Sequence, residues 1–252
     1  MNRTPFISIR NLRKIYPAQT GEVCAIQDVT FDVYRGEFIT LVGPSGCGKT
    51  TLLKIISGLL TKTDGELTFT SEGDFDPRRQ VGMVFQKPVL LKWRSIVDNV
   101  LLPVEILRMN PRPYYPKAID LLNLVGLKGF EKSYPNELSG GMQQRASISR
   151  ALIHDPQLLL MDEPFGALDA LTREKMNLEI LRIWQETKKT VLFVTHGIQE
   201  AVFLADRVIV LSARPARMVK AIEVNLPRPR TMEIRAEKAF GRLCLEIYRL
   251  LV

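Results

Sequence analysis

The 252-residue sequence lacks the features that mark membrane-spanning and secreted proteins. It contains no run of about 18 consecutive apolar residues, which a transmembrane helix requires. Residues 1–10 have no compact apolar block followed by small residues, as a secretory signal would. Cysteine is scarce: Cys24, Cys47 and Cys244 show no paired spacing, and their odd number excludes a complete disulfide framework. These absences predict a cytoplasmic protein with free thiols.

The charge balance is basic, but the sequence has no concentrated basic segment. Lys and Arg number 35 against 27 Asp and Glu, which gives a formal net charge of +8. Such an excess accompanies nucleic-acid, anionic-lipid and polyphosphate ligands, and equally a solvated surface with no special partner. Because no basic run marks a nucleic-acid arm, we expect no nucleic-acid partner.

Short apolar runs rich in strand-forming residues predict a buried sheet. These runs are Phe38–Val42, Val81–Phe85, Leu158–Met161, Val191–Val194 and Arg207–Leu211. The last is expected to pair with Met218–Val224 through a turn at Arg214–Pro215. Helical spacing of apolar residues is found in Thr51–Leu60, in Ala118–Val125 within a proline-rich segment, and in the amphipathic Phe240–Leu251.

The segment Gly43–Thr50 has the sequence Gly-Pro-Ser-Gly-Cys-Gly-Lys-Thr, between a predicted strand and a predicted helix. Its glycines let successive backbone N–H groups point at phosphate oxygens, and the helix N-terminus adds further donors. Lys49 is expected to reach the β- and γ-phosphates, and the Thr50 hydroxyl to ligate Mg²⁺. The predicted nucleotide-binding residues of this motif are Gly43, Pro44, Ser45, Gly46, Cys47, Gly48, Lys49, Thr50 and Thr51.

Polar residues also follow three other predicted strands: Gln86, the pair Asp162 and Glu163, and His196. Ligands of parallel α/β sheets bind outside the carboxyl ends of the strands, which is where these residues fall. We expect Asp162 to hold Mg²⁺ and Glu163 to orient the attacking water. Gln86 and His196 are also predicted to be catalytic residues. Gln86 is predicted to be a Mg²⁺ ligand as well. Taken singly, each could be a helix cap or a structural residue, but their common placement favours function.

A second glycine-containing motif lies at Leu138–Arg145 (Leu-Ser-Gly-Gly-Met-Gln-Gln-Arg), at the start of a helix predicted over Met142–His154. A helix N-terminus preceded by Ser and two glycines is a second anion-binding surface built from backbone donors. The alternative is a plain helix cap by Ser139. A chain with one nucleotide does not obviously need two phosphate-binding helix ends.

Taken in order, these motifs resemble those of the ATP-binding cassette (ABC) family. The set is the phosphate loop, Gln86, LSGGMQQR, LLLMDEP, Ala167–Asp169 and His196. The resemblance implies an α/β fold with a mostly parallel P-loop NTPase sheet core, an antiparallel β-subdomain and an inserted helical subdomain. The predicted division is 1–86 with 156–225 for the core, 87–155 for the helical subdomain and 226–252 for a C-terminal helical extension.

The family resemblance also implies how the two anion-binding surfaces are used. Two copies sandwich two ATP molecules head to tail, so that the phosphate loop of one faces Ser139, Gly140 and Gly141 of the other. Gln143 is placed in the same nucleotide-binding set, and Asp169 at the dimer contact. Tyr16 matches the aromatic residue that stacks on adenine, although a core or surface tyrosine is the alternative.

The segment Gly82–Val100 is similar to importers of nitrate, aliphatic sulfonates, taurine and thiamine-pathway pyrimidines, in which Leu-Leu-Pro-Trp-Arg is usual. Lys92 replaces that proline here. In such importers, a groove beside Gln86 receives a short helix from each membrane permease subunit. The resemblance thus implies permease contacts at Leu90, Leu91 and Trp93, although packing of these side chains within the helical subdomain is the alternative. It also implies an indirect solute-binding protein partner and a peripheral location on the cytoplasmic face of the membrane.

Two alternatives remain within the family. A soluble ABC ATPase of DNA repair or translation usually carries coiled-coil arms, zinc modules or two fused cassettes, and none of these is evident in the sequence. An ATPase of export or lipoprotein release shares every catalytic motif and stays open. We expect an importer of a small anionic, sulfonate, nitrate or pyrimidine-type solute, powered by ATP hydrolysis.

Overall fold

The computed structural model of the chain describes residues 4–19, 21–70 and 74–252. The strands are β1 (Ile7–Ala18), β2 (Gly21–Val33), β3 (Phe38–Val42), β4 (Asp64–Phe69), β5 (Val81–Val84), β6 (Leu158–Asp162), β7 (Thr190–Val194), β8 (Arg207–Leu211) and β9 (Ala216–Glu223). The helices are α1 (Lys49–Ile56), α2 (Pro77–Gln80), α3 (Ile96–Ile106), α4 (Tyr114–Leu124), α5 (Gly140–Leu152), α6 (Ala170–Thr187), α7 (Ile198–Leu204) and α8 (Lys238–Leu251). The described residues form two compact units, one from 1–78 with 190–252 and the other from 79–189.

The first unit contains a mixed sheet with the strand order β4-β1-β2-β9-β8-β3-β7. Strand β1 pairs antiparallel with β2 and β4, as expected for the predicted β-subdomain. Strand β3 pairs in parallel with β7 on one side and β8 on the other. All five residues of β3 are buried, which explains why four of them are apolar, while the hydroxyl of the fifth, Thr40, donates to the Ala201 carbonyl. Strand β8 returns antiparallel as β9, and this confirms the predicted pairing.

The second unit combines a parallel strand pair with helices. Strands β5 and β6 pair in register from Val81 opposite Leu158 to Val84 opposite Met161. Helices α3, α4 and α5 pack against one another, and α5 also contacts β5. Their shared core includes the fully buried side chains of Val100, Leu122 and Ile148.

The C-terminal segment is helical, as predicted. A 3₁₀ turn at Met232–Ala236 leads into α8, which packs on α7 and β8. Only Phe240 and Ile247 of α8 are fully buried, whereas Leu245 and Tyr248 are exposed. In the part of the chain that the structure describes, no helix is both long enough and apolar enough to span a membrane.

The predicted fold class is confirmed, with shifts at the ends of elements. Helix α1 ends at Ile56 rather than Leu60, two residues before Gly58 adopts a left-handed φ of 74°. Helix α5 begins at Gly140 because Ser139 caps it, two residues before the predicted start. The two compact units also group residues differently from the predicted division, which remains a prediction.

Candidate active site

The phosphate loop joins the end of β3 to the start of α1 in the first unit. Gly48 occupies the N-cap position with φ 124°, and it offers no side chain to accept hydrogen bonds from the first turn. A Cβ at this position would lie 2.9 Å from the Ala25 carbonyl oxygen, so only glycine fits. The first turn also contains no acidic residue. The helix N-terminus therefore has neither a capping side chain nor an acidic side chain of its own to compete with a bound anion.

The Lys49 side chain lies within this loop and is only 4% exposed. Its Nζ donates hydrogen bonds to the carbonyl oxygens of Gly43, at 2.8 Å, and Pro44, at 3.0 Å. The Cys47 amide also donates to Pro44 and tightens the turn. The loop thus holds a cation in a fixed place beside the backbone donors, as a phosphate cradle requires.

Tyr16 lies on β1 beside the start of α1 and is half-buried. Its Oη is 3.4 Å from the Thr51 hydroxyl. The Lys14 ammonium sits 5.1 Å from the centre of the Tyr16 ring and donates to the Thr61 carbonyl. Tyr16 is therefore not a core residue. Its position next to α1, the helix that follows the phosphate loop, is compatible with the predicted adenine stacking.

His196 lies at the same edge of the first unit's sheet as the phosphate loop. Strands β3 and β7 are parallel, with Leu41 opposite Val194, so their carboxyl ends are adjacent. The Thr195 amide extends the pairing by donating to the Leu41 carbonyl at 3.2 Å. The Thr195 hydroxyl accepts a hydrogen bond from the Gly197 amide and contacts the Glu200 carboxylate. These contacts order the turn that carries the exposed His196 side chain.

Gln86 and Glu163 converge at one edge of the second unit. Because Val84 pairs with Met161, the residues after β5 and at the end of β6 are neighbours. The point where a Cβ on Gly166 would lie is 3.3 Å from the Gln86 Nε2 and 3.7 Å from a Glu163 carboxylate oxygen. Glu163 itself has φ 45°, in the left-handed region that few non-glycine residues adopt. Backbone strain of this kind is concentrated at functional sites.

The Leu138–Arg145 motif forms the N-terminal turn of α5, as predicted. Ser139 is the N-cap, and its Oγ accepts from the Met142 amide at 3.3 Å. Both Ser139 and Gly140 are exposed to solvent. The side-chain Nε2 of Gln143 donates to the carbonyls of Pro135 and Leu138 and so orders the preceding turn. A role in capping α5 and a role in binding an anion are thus compatible.

Asp169 caps α6 in the same way. Its Oδ1 accepts from the Thr172 amide at 3.0 Å. Hydrogen bonds from the Thr172 side chain and backbone lower the pKa of the exposed Asp169 carboxyl. Arg173 donates to the carbonyls of Phe165 and Leu168, which holds the loop between β6 and α6.

Three polar side chains that sequence reasoning missed hold the segment after β5. Asn99 is fully buried; it accepts from the Leu91 amide and donates to three carbonyls of the same loop. Arg150 donates to the carbonyls of Pro88 and Val89, and Gln144 donates to that of Phe85. The sequence contains a weak sign of these roles, since Asn99 and Gln144 interrupt the apolar faces of helices.

These anchors leave large apolar side chains facing solvent. Trp93 is 74% exposed and Val89 is 60% exposed, whereas Leu90 and Leu91 are half-buried. An ordered backbone with an exposed tryptophan is a feature of protein–protein interfaces. We refer to residues 86–94 as the docking segment.

Comparisons with known proteins identify a matching family, similar sequences and similar solved structures. A family described as ABC transporter matches residues 26–166. The aliphatic sulfonates import ATP-binding protein SsuB of Bacillus cereus is 43% identical over 225 residues, which cover 89% of this chain and 88% of the relative. The taurine import ATP-binding protein TauB of Pelagibacter ubique is 46% identical over 219 residues, covering 86% and 82%. Among solved structures, the dimeric post-hydrolysis state of the ATP-binding cassette MJ0796, bound to ADP and Pi, matches with a TM-score of 0.74 and 32% identity, covering 88% of this chain and all of the other.

Proposed function

Because this chain belongs to the ABC transporter family, we propose that it is the ATP-hydrolysing subunit of a membrane importer. The observation that carries the proposal is the phosphate loop around the buried Lys49, at a helix N-terminus with no competing side chain. Since the relatives are named as importers of aliphatic sulfonates and of taurine, we propose a small sulfonate such as taurine as the transported solute. The import function of these relatives also favours import over export.

The predicted site residues have distinct roles in ATP binding and hydrolysis. Backbone N–H groups of Gly43–Thr50 and the Lys49 ammonium bind the ATP phosphates. Glu163 orients and polarises the attacking water, and His196 and Gln86 contribute to the geometry of the reacting groups. Tyr16 stacks on the adenine.

The Mg²⁺ ligands in this proposal are Thr50, Gln86 and Asp162. Each would offer an oxygen donor, and Mg²⁺ ions shared with substrate phosphates are usually held by one or two carboxylates. When bound, the ion neutralises charge that develops on the phosphates.

The N-terminus of α5 supplies the other half of each nucleotide site, across a dimer of two copies. Ser139 and Gly140 are exposed, and the turn has donors available for the phosphates of ATP held by the partner. ATP binding then closes the dimer, and hydrolysis reopens it, because the nucleotide joins surfaces that are each half a site. This cycle drives the permease subunits.

Replacing Ser139 with Arg should block ATP-driven dimerisation without loss of ATP binding by the monomer. The longer cationic side chain fills the space at the α5 N-terminus that the partner's phosphates need. Size-exclusion chromatography of Ser139→Arg in the Glu163→Gln background measures the dimer. Asn123→Arg, at an exposed position on α4, is the matched control. Dimerisation of Ser139→Arg at the level of this control would contradict the sandwich arrangement.

The permease subunits dock on the exposed face of the docking segment. We expect Trp93→Ala to lower recovery of a multi-span membrane protein by at least about 10-fold, because a central interface tryptophan is often a binding hot spot. Recovery is measured by purification of the tagged chain from detergent-solubilised membranes, with taurine uptake as a second readout. Ile106→Ala removes an apolar side chain that is 70% exposed elsewhere in the same compact unit and serves as the control. Equal recovery with both variants would refute docking at Trp93.

A further inference from the structure

The segment Asn225–Arg230 (Asn-Leu-Pro-Arg-Pro-Arg), which the proposed mechanism does not use, places two guanidinium groups at the C-terminal end of α7. Arg230 is only 4% exposed. Its Nη1 donates to the carbonyls of Val202 at 3.1 Å, Phe203 at 2.9 Å and Ala205 at 2.7 Å, and its Nη2 to that of Val224 at 3.3 Å. A single side chain thus satisfies three carbonyls at the end of the helix.

Arg228 extends this set of contacts to the first residue of β3. Its Nη2 donates to the Leu204 carbonyl at 2.8 Å, and its Nε to the Asp206 Oδ1 at 2.9 Å. The other Asp206 oxygen accepts from the Phe38 amide at 2.9 Å, at the first residue of β3. Through Asp206, Arg228 joins the end of α7 to the first residue of β3, and the opposite end of that strand leads into Gly43.

These contacts match what the end of a helix needs. The last carbonyls of α7 have no partners within the helix, and cations are favoured at this negative end of the helix dipole. Burial lowers the pKa of Arg230 to about 10, with repulsion from Arg228 adding to the shift and Asp206 opposing it. Burying a guanidinium is costly, and four carbonyl acceptors offset that cost.

His196 lies just ahead of the same helix. Helix α7 begins at Ile198 and has only seven residues, so its two ends are roughly 10 Å apart. Ala201, Val202, Phe203 and Leu204 are all fully buried, and the Thr40 hydroxyl donates to the Ala201 carbonyl. A short helix packed in this way moves as one body, so a displacement of its C-terminal end reaches the His196 turn.

We propose that Arg228 and Arg230 are positioning residues, which hold α7 and through it keep the His196 side chain at a fixed place relative to the phosphate loop. The consequence for catalysis rests on the proposed function, which assigns a catalytic role to His196. The positioning itself does not depend on that role.

Nuclear magnetic resonance of the histidine side chains tests the positioning directly in the full chain. The sequence has two histidines, and His154 lies in the other compact unit, with its Nε2 3.3 Å from the Val81 carbonyl. We expect Arg230→Met and Arg228→Met to shift or broaden the imidazole signal of His196 and to leave that of His154 unchanged. Arg230→Lys should retain most of the wild-type position, since an ammonium can donate three hydrogen bonds.

The control separates positioning from a general loss of stability. Arg207 also has a largely buried guanidinium, but it pairs with Glu37 at 3.0 Å and does not cap α7. Arg207→Met should leave the His196 signal in place. The inference is overturned if the His196 signal of the Met variants superimposes on that of the wild type, or if Arg207→Met moves it equally. Should Arg230→Met fail to fold, Arg228→Met decides the question.

ATPase kinetics add a second, distinguishable readout. Misplacement of His196 in Arg230→Met should lower kcat by about 10- to 100-fold with the KM for ATP unchanged. The same substitution should cause no further loss in a His196→Ala background, because the two changes then act on one group. Additive losses would overturn the positioning role. Full turnover by His196→Ala would instead refute the catalytic assignment of His196 and leave the spectroscopic result standing.

Discussion

Replacing Glu163 with Gln lowers the rate of ATP hydrolysis by about 10²- to 10⁴-fold while ATP binding is retained. The substitution removes the carboxylate that polarises water but keeps the size and hydrogen-bonding reach of the side chain. It also leaves the phosphate loop, which belongs to other elements, unchanged. Hydrolysis is measured as phosphate release under saturating ATP, and binding by titration with a fluorescent nucleotide.

The surroundings of Glu163 are the reason to choose Gln rather than a smaller residue. Glu163 adopts φ 45° and its carboxylate lies with Gln86 around Gly166, so a smaller residue would change the packing as well as the charge. Glu186→Gln, at a side chain that is half exposed on α6, controls for the loss of an acidic charge. Turnover by Glu163→Gln close to that of the control would remove Glu163 from the catalytic set.

Replacing Lys49 with Ala weakens ATP binding by at least about 100-fold, since charge-assisted hydrogen bonds to phosphate are worth on the order of 3 kcal/mol. The lysine is buried within the loop, so neither water nor another cation readily takes its place. The dissociation constant is measured by calorimetric titration with ATP and Mg²⁺.

The control for Lys49→Ala lies on the same helix. Lys54 is exposed in the last turn of α1, so Lys54→Ala removes an equal charge away from the loop. Because Lys49 also donates to two loop carbonyls, thermal unfolding of both variants must be compared with the wild type. A titration curve of Lys49→Ala that matches that of Lys54→Ala would refute the phosphate-binding role of Lys49.

Local sequence patterns predicted the bounds of several strands and helices. The bounds of β3 were predicted to the residue, because a strand buried on both faces is a short, mostly apolar run that glycine ends here. The bounds of β8 were predicted equally well. The ends of α1 and α5 were displaced, since left-handed glycines and capping serines act on single residues that hydrophobic periodicity does not register.

The candidate site likewise has features that the sequence predicted and features that it did not. The residues of the phosphate loop, the carboxylates after β6 and the α5 turn could be named from sequence because backbone geometry and phosphate chemistry demand those residue types at that spacing. The sequence also placed Gln86 and Glu163 at the same edge of the sheet, but it did not indicate the left-handed backbone of Glu163 or the closeness of both side chains to Gly166, which depend on how the chain turns after β5 and β6.

The fold class followed from the resemblance of the ordered motifs to the ABC family. By itself, the sequence determined where the apolar strands β3, β5, β6, β7 and β8 lie along the chain, and the chemistry of the phosphate loop. Each depends on neighbours within about one turn or one strand, whose spacing is written in the chain. Only the tertiary structure decided the partners of Arg150, Gln144 and Arg230, whose side chains donate to carbonyls remote in sequence. The reason is that a buried polar group must find a hydrogen-bond partner, and packing rather than local sequence brings that partner within reach.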